Sequence, residues 1–223
     1  MSTAALPLIK AHPWATVGAG GHAKQVLEAA ARAGFPKASG FFDSLNKTPL
    51  NSHSLGLPCL GGTMELEVYA NSKTHAIALA FGNNADRLAL ARKLHELGAE
   101  ILTIIDPTSV CSPDSVIGSG TVVLARAVVG PSCVIGRGCI INAGALLPHD
   151  NVIEDGAHLA PGSVLGGNVR VGAGTLIGLG AVIRNGITVG RNCVVGAGAV
   201  VVVNIPDGQT VVGNPAKLMK KKS

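Results

Sequence analysis

In the second half of this chain one histidine is followed directly by an acid, His149–Asp150. An imidazole whose tautomer is fixed by a neighbouring carboxylate is a general base, able to take a proton from a nucleophile as it attacks. A solvated turn pair is the plainer alternative. His158 is the only other histidine after position 95, nine residues further on. A second constellation lies near the N-terminus, where Gly18, Gly20 and Ala23 fit the pattern GxGxxG/A between a short apolar run, Trp14–Val17, and a helix-forming stretch. Glycines there let backbone N–H groups close on a phosphate at the start of the helix. Asp43, ending the next expected strand, stands where such folds hydrogen-bond a ribose or a base. A tight turn with no ligand is the competing reading.

The base must be held by something, and a six-residue repeat supplies it. Every sixth residue from Ile105 to Val201 is Leu, Ile or Val, Cys111 excepted, usually with a small residue two places before and often with glycine one place after. A helical period of 3.6 cannot keep a spacing of six in register, whereas a short strand and a tight turn can. The expected fold is a parallel β-helix, three hexads closing a triangular coil of 18 residues. His149 then sits at a corner two places past Leu147, with Gly167 one coil above it, about 4.8 Å away. Gly166–Gly167 is expected to take positive φ as a corner turn. The residue before each inward aliphatic should face outward, and in that set only His158, Arg170 and Thr188 are polar. So much outward valine predicts packing against other subunits.

Composition bounds the rest. The 223 residues are 47% hydrophobic and 3% aromatic with 30 glycines, which suits a turn-rich solenoid with a core of small aliphatics. Net charge is +5, but four of the 18 Lys and Arg, Lys217, Lys220, Lys221 and Lys222, crowd the last seven residues, and the last three of them read as a solvated tail. No basic face with interleaved aromatics appears, so no nucleic-acid partner is expected. The stretch 1–14 has too short an apolar run for a signal peptide, and nothing offers 18 apolar residues for a membrane span. Five cysteines without metal spacing, three of them at inward small positions, read as core filler in a reducing cytoplasm. Two solenoid histidines are too few for a three-histidine metal site, so no metal is expected.

Residues 1–104 read as a small α/β domain, Rossmann-like, with a mainly parallel sheet. The expected elements are a strand at 14–17, a helix at 24–33, a strand at 39–43, a turn-rich loop at 46–62, a helix at 63–70 and a strand at 75–81. A helix capped by Asn83 or Asn84 and carrying Leu90, Leu94 and Leu97 follows, and a strand at 101–105 enters the solenoid domain, 105–223. The first domain is about half the size a dinucleotide needs, so it suits a mononucleotide diphosphate.

Gly-Ala-Gly-Gly-His-Ala-Lys at 18–24, Phe-Asp-Ser at 42–44, Gly-Asn-Asn-Ala-Asp-Arg at 82–87 and the unbroken hexads together resemble the bacterial hexapeptide-repeat sugar acetyltransferases of bacillosamine and sialic acid pathways. The resemblance implies a left-handed β-helix, acetyl-CoA on the solenoid, and a nucleotide-linked amino sugar on the N-terminal domain through Gly20, Gly21, His22, Lys24, Asp43 and Asn83. It implies a catalytic His149 with Asp150, and an oxyanion-type backbone donor at Gly167. It further implies His158 and Asn142 in the active site, lent by a neighbouring subunit of a homotrimer. Gly213-Asn214-Pro215-Ala216-Lys217 resembles an element near the CoA tail, with Lys217 toward its 3′-phosphate. The implied reaction is N-acetylation of a UDP-4-amino-4,6-dideoxy sugar. Sugar O-acetylation and a non-catalytic nucleotide-sugar scaffold remain open on the residues alone.

Overall fold

The computed structural model describes residues 12–43, 48–72 and 74–219, so the N-terminal stretch, Ser44, Asn46 and the Lys220–Lys222 tail fall outside the described residues. The chain begins with β1 (Trp14–Val17), α1 (Gly21–Arg32), β2 (Gly40–Phe42), β3 (His53–Ser54), β4 (Leu57–Gly61), α2 (Thr63–Asn71), β5 (Ala76–Leu79), α3 (Asn84–Glu96) and β6 (Glu100–Ile101). The sheet order is β3-β4-β2-β1-β5-β6, parallel except for the β3–β4 pair. Val17, Phe42, Ile77 and Leu79 meet Leu66, Ala70, Ala91 and Leu94 of α2 and α3 on one side. Trp14, Phe41 and Ala78 meet Ala23, Val26 and Ala30 of α1 on the other.

Three expectations for this half need correction. The stretch 46–62 contains β3 and β4, which its Gly56 and Pro58 disguise as pure turn; a proline lacks the N–H a central strand needs but is tolerated near an edge. Residues 101–105 do not form one strand. β6 ends the N-terminal sheet at Ile101, and Ile104–Ile105 starts the solenoid. The helix expected from Lys24 begins earlier, at Gly21, with Gly20 as its N-cap.

The solenoid lays two-residue strands on three parallel sheets. One holds 104–105, 122–123, 140–141, 158–159, 176–177, 194–195 and 210–212; the second holds 110–111 through 200–201; the third holds 116–117 through 188–189. Partners are 18 residues apart, as Val122 with Ile140 and Ile140 with His158, until the last rung, where Val194 pairs with Thr210. The inward aliphatics from Val123 to Val201 are buried, with Ala127, Cys133, Cys139, Ala145 and Cys193 filling between them. Each such aliphatic contributes about 1.5–3 kcal/mol by leaving water. After Thr210–Val212 the chain reverses, and Lys217–Leu218 pairs antiparallel to that strand.

The corners show why the repeat needs its turn residues. Every sixth residue from Gly120 to Gly198 is left-handed, with φ between 52° and 74°. At four of these corners a non-glycine short polar residue stands in, Ser132, Asp150, Asn168 and Asn192, and Asn and Asp tolerate the region best. The glycines just after the aliphatics answer a different demand. A Cβ on Gly130 would sit 1.7 Å from the carbonyl oxygen of Pro148 in the next coil.

The outward residues split. Ile104, Val122 and Ile140 are buried, but within the same chain, because α1 lies between that sheet and the N-terminal sheet. For this row the expected subunit contact is replaced by a domain contact. Val110, Val116 and Val134 on the other two sides remain 63%, 58% and 45% exposed. Among the described residues no helix is long and apolar enough to cross a membrane.

Candidate active site

His149 stands at the corner after Leu147, and the next residue, Asp150, takes the left-handed position (φ 55°). That turn brings the Asp150 carboxylate back to the imidazole, where Nδ1 and Oδ2 are 2.7 Å apart. Nδ1–H donates to the carboxylate, which leaves the Nε2 lone pair for a proton from elsewhere. Both side chains are more than half exposed, so the pair is worth at most about 1 kcal/mol of stability and serves orientation instead. The ring lies against Gly167: a Cβ built there would be 2.2 Å from Cε1 and 2.4 Å from Nε2.

Gly167 is glycine for that close approach and not for its backbone. The expected positive φ falls instead on Asn168, one coil above Asp150. Gly166 has its own reason, since a Cβ there would meet the backbone nitrogen of Asn185 at 2.5 Å. Among the described residues the Gly167 N–H donates to no protein acceptor, whereas Gly166 N and Asn168 N are bonded to Ile183 O and His149 O. A free donor beside a free imidazole nitrogen fits a thioester carbonyl whose oxygen gains charge during attack.

A second cluster forms where the N-terminal domain meets the solenoid. Asn142 accepts the Ala143 N–H through Oδ1 at 2.8 Å, which turns its Nδ2 toward His158 Nε2 at 3.1 Å. His158 therefore accepts at Nε2. The His22 ring, from the first turn of α1, lies 6.4 Å from the His158 ring, centre to centre. Burial pushes His22 down to about 4, against the pull of its hydrogen bond with Gln25, and the Arg87 charge adds to the fall. His158 is pushed down to about 3 by burial, then by Arg87 and by His22. Both rings are neutral at pH 7. The His22 Nε2 is buried and meets no partner among the described residues, a position suited to a polar group the chain does not supply.

The glycine loop feeding His22 opens α1 without a side-chain cap or an acid in the first turn. Gly18 needs its glycine (φ 96°, Ala80 O 3.0 Å from a built Cβ), while a Cβ on Gly20 or Gly21 would enter open space. The helix start thus keeps donors for an anion. Lys24 is exposed on α1, and Asp43 accepts from Thr48 Oγ1 at 2.6 Å. Asn83 caps α3 by accepting from Asp86 N at 3.1 Å. Lys217 is exposed on the return strand at the far end of the solenoid.

The structure thus gathers the site residues into two groups within one chain. His149, Asp150 and Gly167 share the corner after the second sheet; His22, Asn142 and His158 share the first sheet and the domain junction. Sequence reasoning missed Arg87, buried beside the second group. Its signal was a cation at i, i+3, i+7 spacing with Leu90 and Leu94, on the apolar face of its helix. Among the described residues no cluster of three or more His, Cys, Asp or Glu side chains could hold a metal ion.

A triangular parallel β-helix with an acid-paired histidine at a corner and an α/β domain on one side defines a hexapeptide-repeat transferase. Comparison agrees: residues 15–94 match the family described as PglD N-terminal domain. Residues 114–149 match bacterial transferase hexapeptide (six repeats), and 168–202 match the hexapeptide repeat of succinyl-transferase. The acetyltransferase domain of PglB from Neisseria gonorrhoeae FA1090 is 40% identical over 93% of this chain and 100% of its own, with a TM-score of 0.86. PerB from Caulobacter crescentus, solved with CoA and GDP-perosamine, is 34% identical over 93% of this chain and 97% of its own, with a TM-score of 0.86. WeeI from Acinetobacter baumannii AYE is 30% identical over 93% and 99%, with a TM-score of 0.73. A search of curated proteins found no match. The chain belongs to the hexapeptide-repeat sugar acetyltransferases that carry a PglD N-terminal domain ahead of a left-handed β-helix.

Proposed function

We propose that the protein moves the acetyl group of acetyl-CoA to the amine of a nucleotide-linked amino sugar, with His149 as general base. The observation that carries this is the corner itself: an exposed imidazole oriented by Asp150 at 2.7 Å, against a glycine whose N–H is free. The amine attacks the thioester carbon while His149 Nε2 takes its proton. The carbonyl oxygen gains charge within reach of the Gly167 N–H. The C–S bond then breaks, and the proton passes from imidazolium to the departing thiolate, giving an amide and free CoA. The nucleotide sugar takes the N-terminal domain, its diphosphate at the start of α1 and its polar groups toward His22, Lys24, Asp43 and Asn83. Gly167, Asn142 and His158 face the acetyl group, and Lys217 takes the CoA phosphate. UDP-4-amino-4,6-dideoxy sugars lead as substrates, on the resemblance to bacillosamine enzymes; PerB, solved with CoA and GDP-perosamine, supports the coarser pairing of CoA with a nucleotide-linked sugar. The five thiols, all unpaired, suit the cytoplasm.

Mass spectrometry of products from UDP-, dTDP- and GDP-linked amino sugars tests the reading. An acetamide on one of them supports it; an acetate ester would mean O-acetylation, and binding without thiol release would mean a scaffold.

Two expectations attach to this reading. Gly21→Val adds a side chain into the space beside the α1 start, where a built Cβ meets nothing within 4 Å. Nucleotide affinity should drop about tenfold or more, the effect of losing roughly one charge-assisted hydrogen bond. Acetyl-CoA affinity should stay within about twofold, because that site is on the solenoid; calorimetry with each ligand separates the two, and equal losses would mean misfolding or a wrong assignment. The second concerns assembly. Val110, Val116 and Val134 leave apolar rows on two sides of the prism, and a homotrimer covers them while bringing His149 of one subunit to His158 and Asn142 of the next. Sedimentation should give a single species of three chains. A stable, active monomer would remove the shared site.

A further inference from the structure

The first turn of α3 carries a cation that the reaction above does not use. Arg87 is 1% exposed, and among the described residues no carboxylate pairs with it. Its Nε donates to Gly138 O at 2.8 Å, one terminal nitrogen to Gly156 O and Asn84 Oδ1 at 2.8 Å each, and the other to Phe81 O at 3.3 Å. Asn84 then donates from Nδ2 to Gly174 O at 3.1 Å.

Gly138, Gly156 and Gly174 are one corner position in three successive coils, with φ of 59°, 67° and 69°. Their N–H groups are spent one coil below, on Ser119 O, Arg137 O and Asp155 O, so their carbonyls are left for side chains. Two residues of one helical turn thus engage three rungs of the ladder. The apolar contacts around them, Leu88 against Gly156 and α1 against Val122 and Ile140, are non-directional. Rungs repeat about every 4.8 Å, and only directional donors distinguish a position between them. The guanidinium is a planar fork that spans two carbonyls on neighbouring rungs; a lysine ammonium on a flexible stem cannot hold both in that geometry. A buried cation without a counter-ion is otherwise unfavourable, and a Leu or Met would fill the same space without that penalty.

We propose that Arg87 and Asn84 are positioning residues that lock the N-terminal domain at one height on the coil stack, so that the sugar-borne amine meets the acetyl donor. The proposal rests on the two-ligand reading above.

Arg87→Lys keeps the charge, and Asn84→Ala provides a milder variant should the first fold poorly. Three measurements are made on each: the crystal structure, the affinity for CoA and for whichever of UDP, dTDP and GDP the wild type binds, and kcat on the substrate the wild type acetylates. The expected result is an N-terminal domain displaced by about 1 Å or more on the solenoid, kcat lower by about 10–10²-fold, and both affinities within about twofold of wild type. A domain in its original place with wild-type kcat would overturn the proposal, as would nucleotide affinity falling in step with kcat. If the wild type acetylates no sugar nucleotide, the function above fails, and the domain position in the variant crystals alone decides this proposal: displaced supports it, unmoved overturns it.

Discussion

With His149 replaced by alanine, kcat should fall by about 10²–10⁴-fold, the usual loss of a general base, while acetyl-CoA affinity stays close to wild type. The neutral amine is the species that attacks, and the proton it sheds as the amide forms has to be taken up, for which His149 presents an exposed ring with Nδ1 tied to Asp150. His158 cannot substitute. Its Nε2 is occupied by Asn142, and burial holds its pKa near 3, too low for it to keep an abstracted proton at neutral pH. Asp150→Asn should cost less than His149→Ala, because it weakens orientation and imidazolium stabilisation without removing the base. Single-turnover kinetics separates these outcomes from effects on binding. Mixing His149→Ala with His158→Ala subunits adds a geometric test: a site shared across the seam recovers activity in mixed trimers. Full activity in His149→Ala overturns the mechanism. No recovery, with exchange confirmed and both parents defective, removes the shared geometry and leaves the base in place.

Gly167→Ala should cripple the enzyme nearly as much, by about 10²-fold or more, although it adds a single methyl. That methyl would lie 2.2 Å from His149 Cε1, 2.4 Å from Nε2 and 2.9 Å from Nδ1, closer than real atoms approach, so the ring has to leave its place under the glycine. The backbone at Gly167 is not left-handed, so alanine fits the chain and the coil should fold. The diagnostic variant is the double one. Once His149 is alanine, the added methyl has no ring to meet, so His149→Ala/Gly167→Ala should be little worse than His149→Ala alone, a strong departure from additivity. Circular dichroism melts within a few degrees of wild type would show that the coil survives. Additive losses would mean that Gly167 acts through something other than the ring, the free N–H being the first candidate.

That contact was legible from residue numbers. A strict six-residue period fixes which residues stack, because each rung is local and repeats its neighbour, so counting 18 from His149 reaches Gly167. The same periodicity could not assign the turn. It pointed to the glycines after each aliphatic, whereas the left-handed residues lie two places further on and include Asp150 and Asn168. Side chains that cap or fill look alike in sequence until the next coil is placed. What the period could not carry at all was the docking of the other domain. Ile104, Val122 and Ile140 read as outward and subunit-facing, yet they are covered by α1, a contact between segments far apart in the chain. β3 and β4 were hidden for a similar reason: the five residues of β4 are sustained by pairing to β2, and the two of β3 by pairing to β4, not by their own pattern. Arg87 stands in the Gly-Asn-Asn-Ala-Asp-Arg motif, but its carbonyl partners on the solenoid are 51 and 69 residues away.

The reversal at the end of the solenoid sets a limit on growth. A stack of parallel rungs ends in unpaired N–H and C=O groups of the same kind at each extremity, and two such stacks placed head to tail complete one another and then expose the same two extremities again. Nothing in the repeat itself would halt that filament. Lys217–Leu218 runs against the direction of Thr210–Val212 and occupies the last rung of the sheet that also carries the domain junction. The two extremities are thereby made unlike, since the final rung has the opposite polarity to the one a further coil would require. Residues 213–216 and the two-residue strand Lys217–Leu218 thus close the end of that sheet to a further parallel rung.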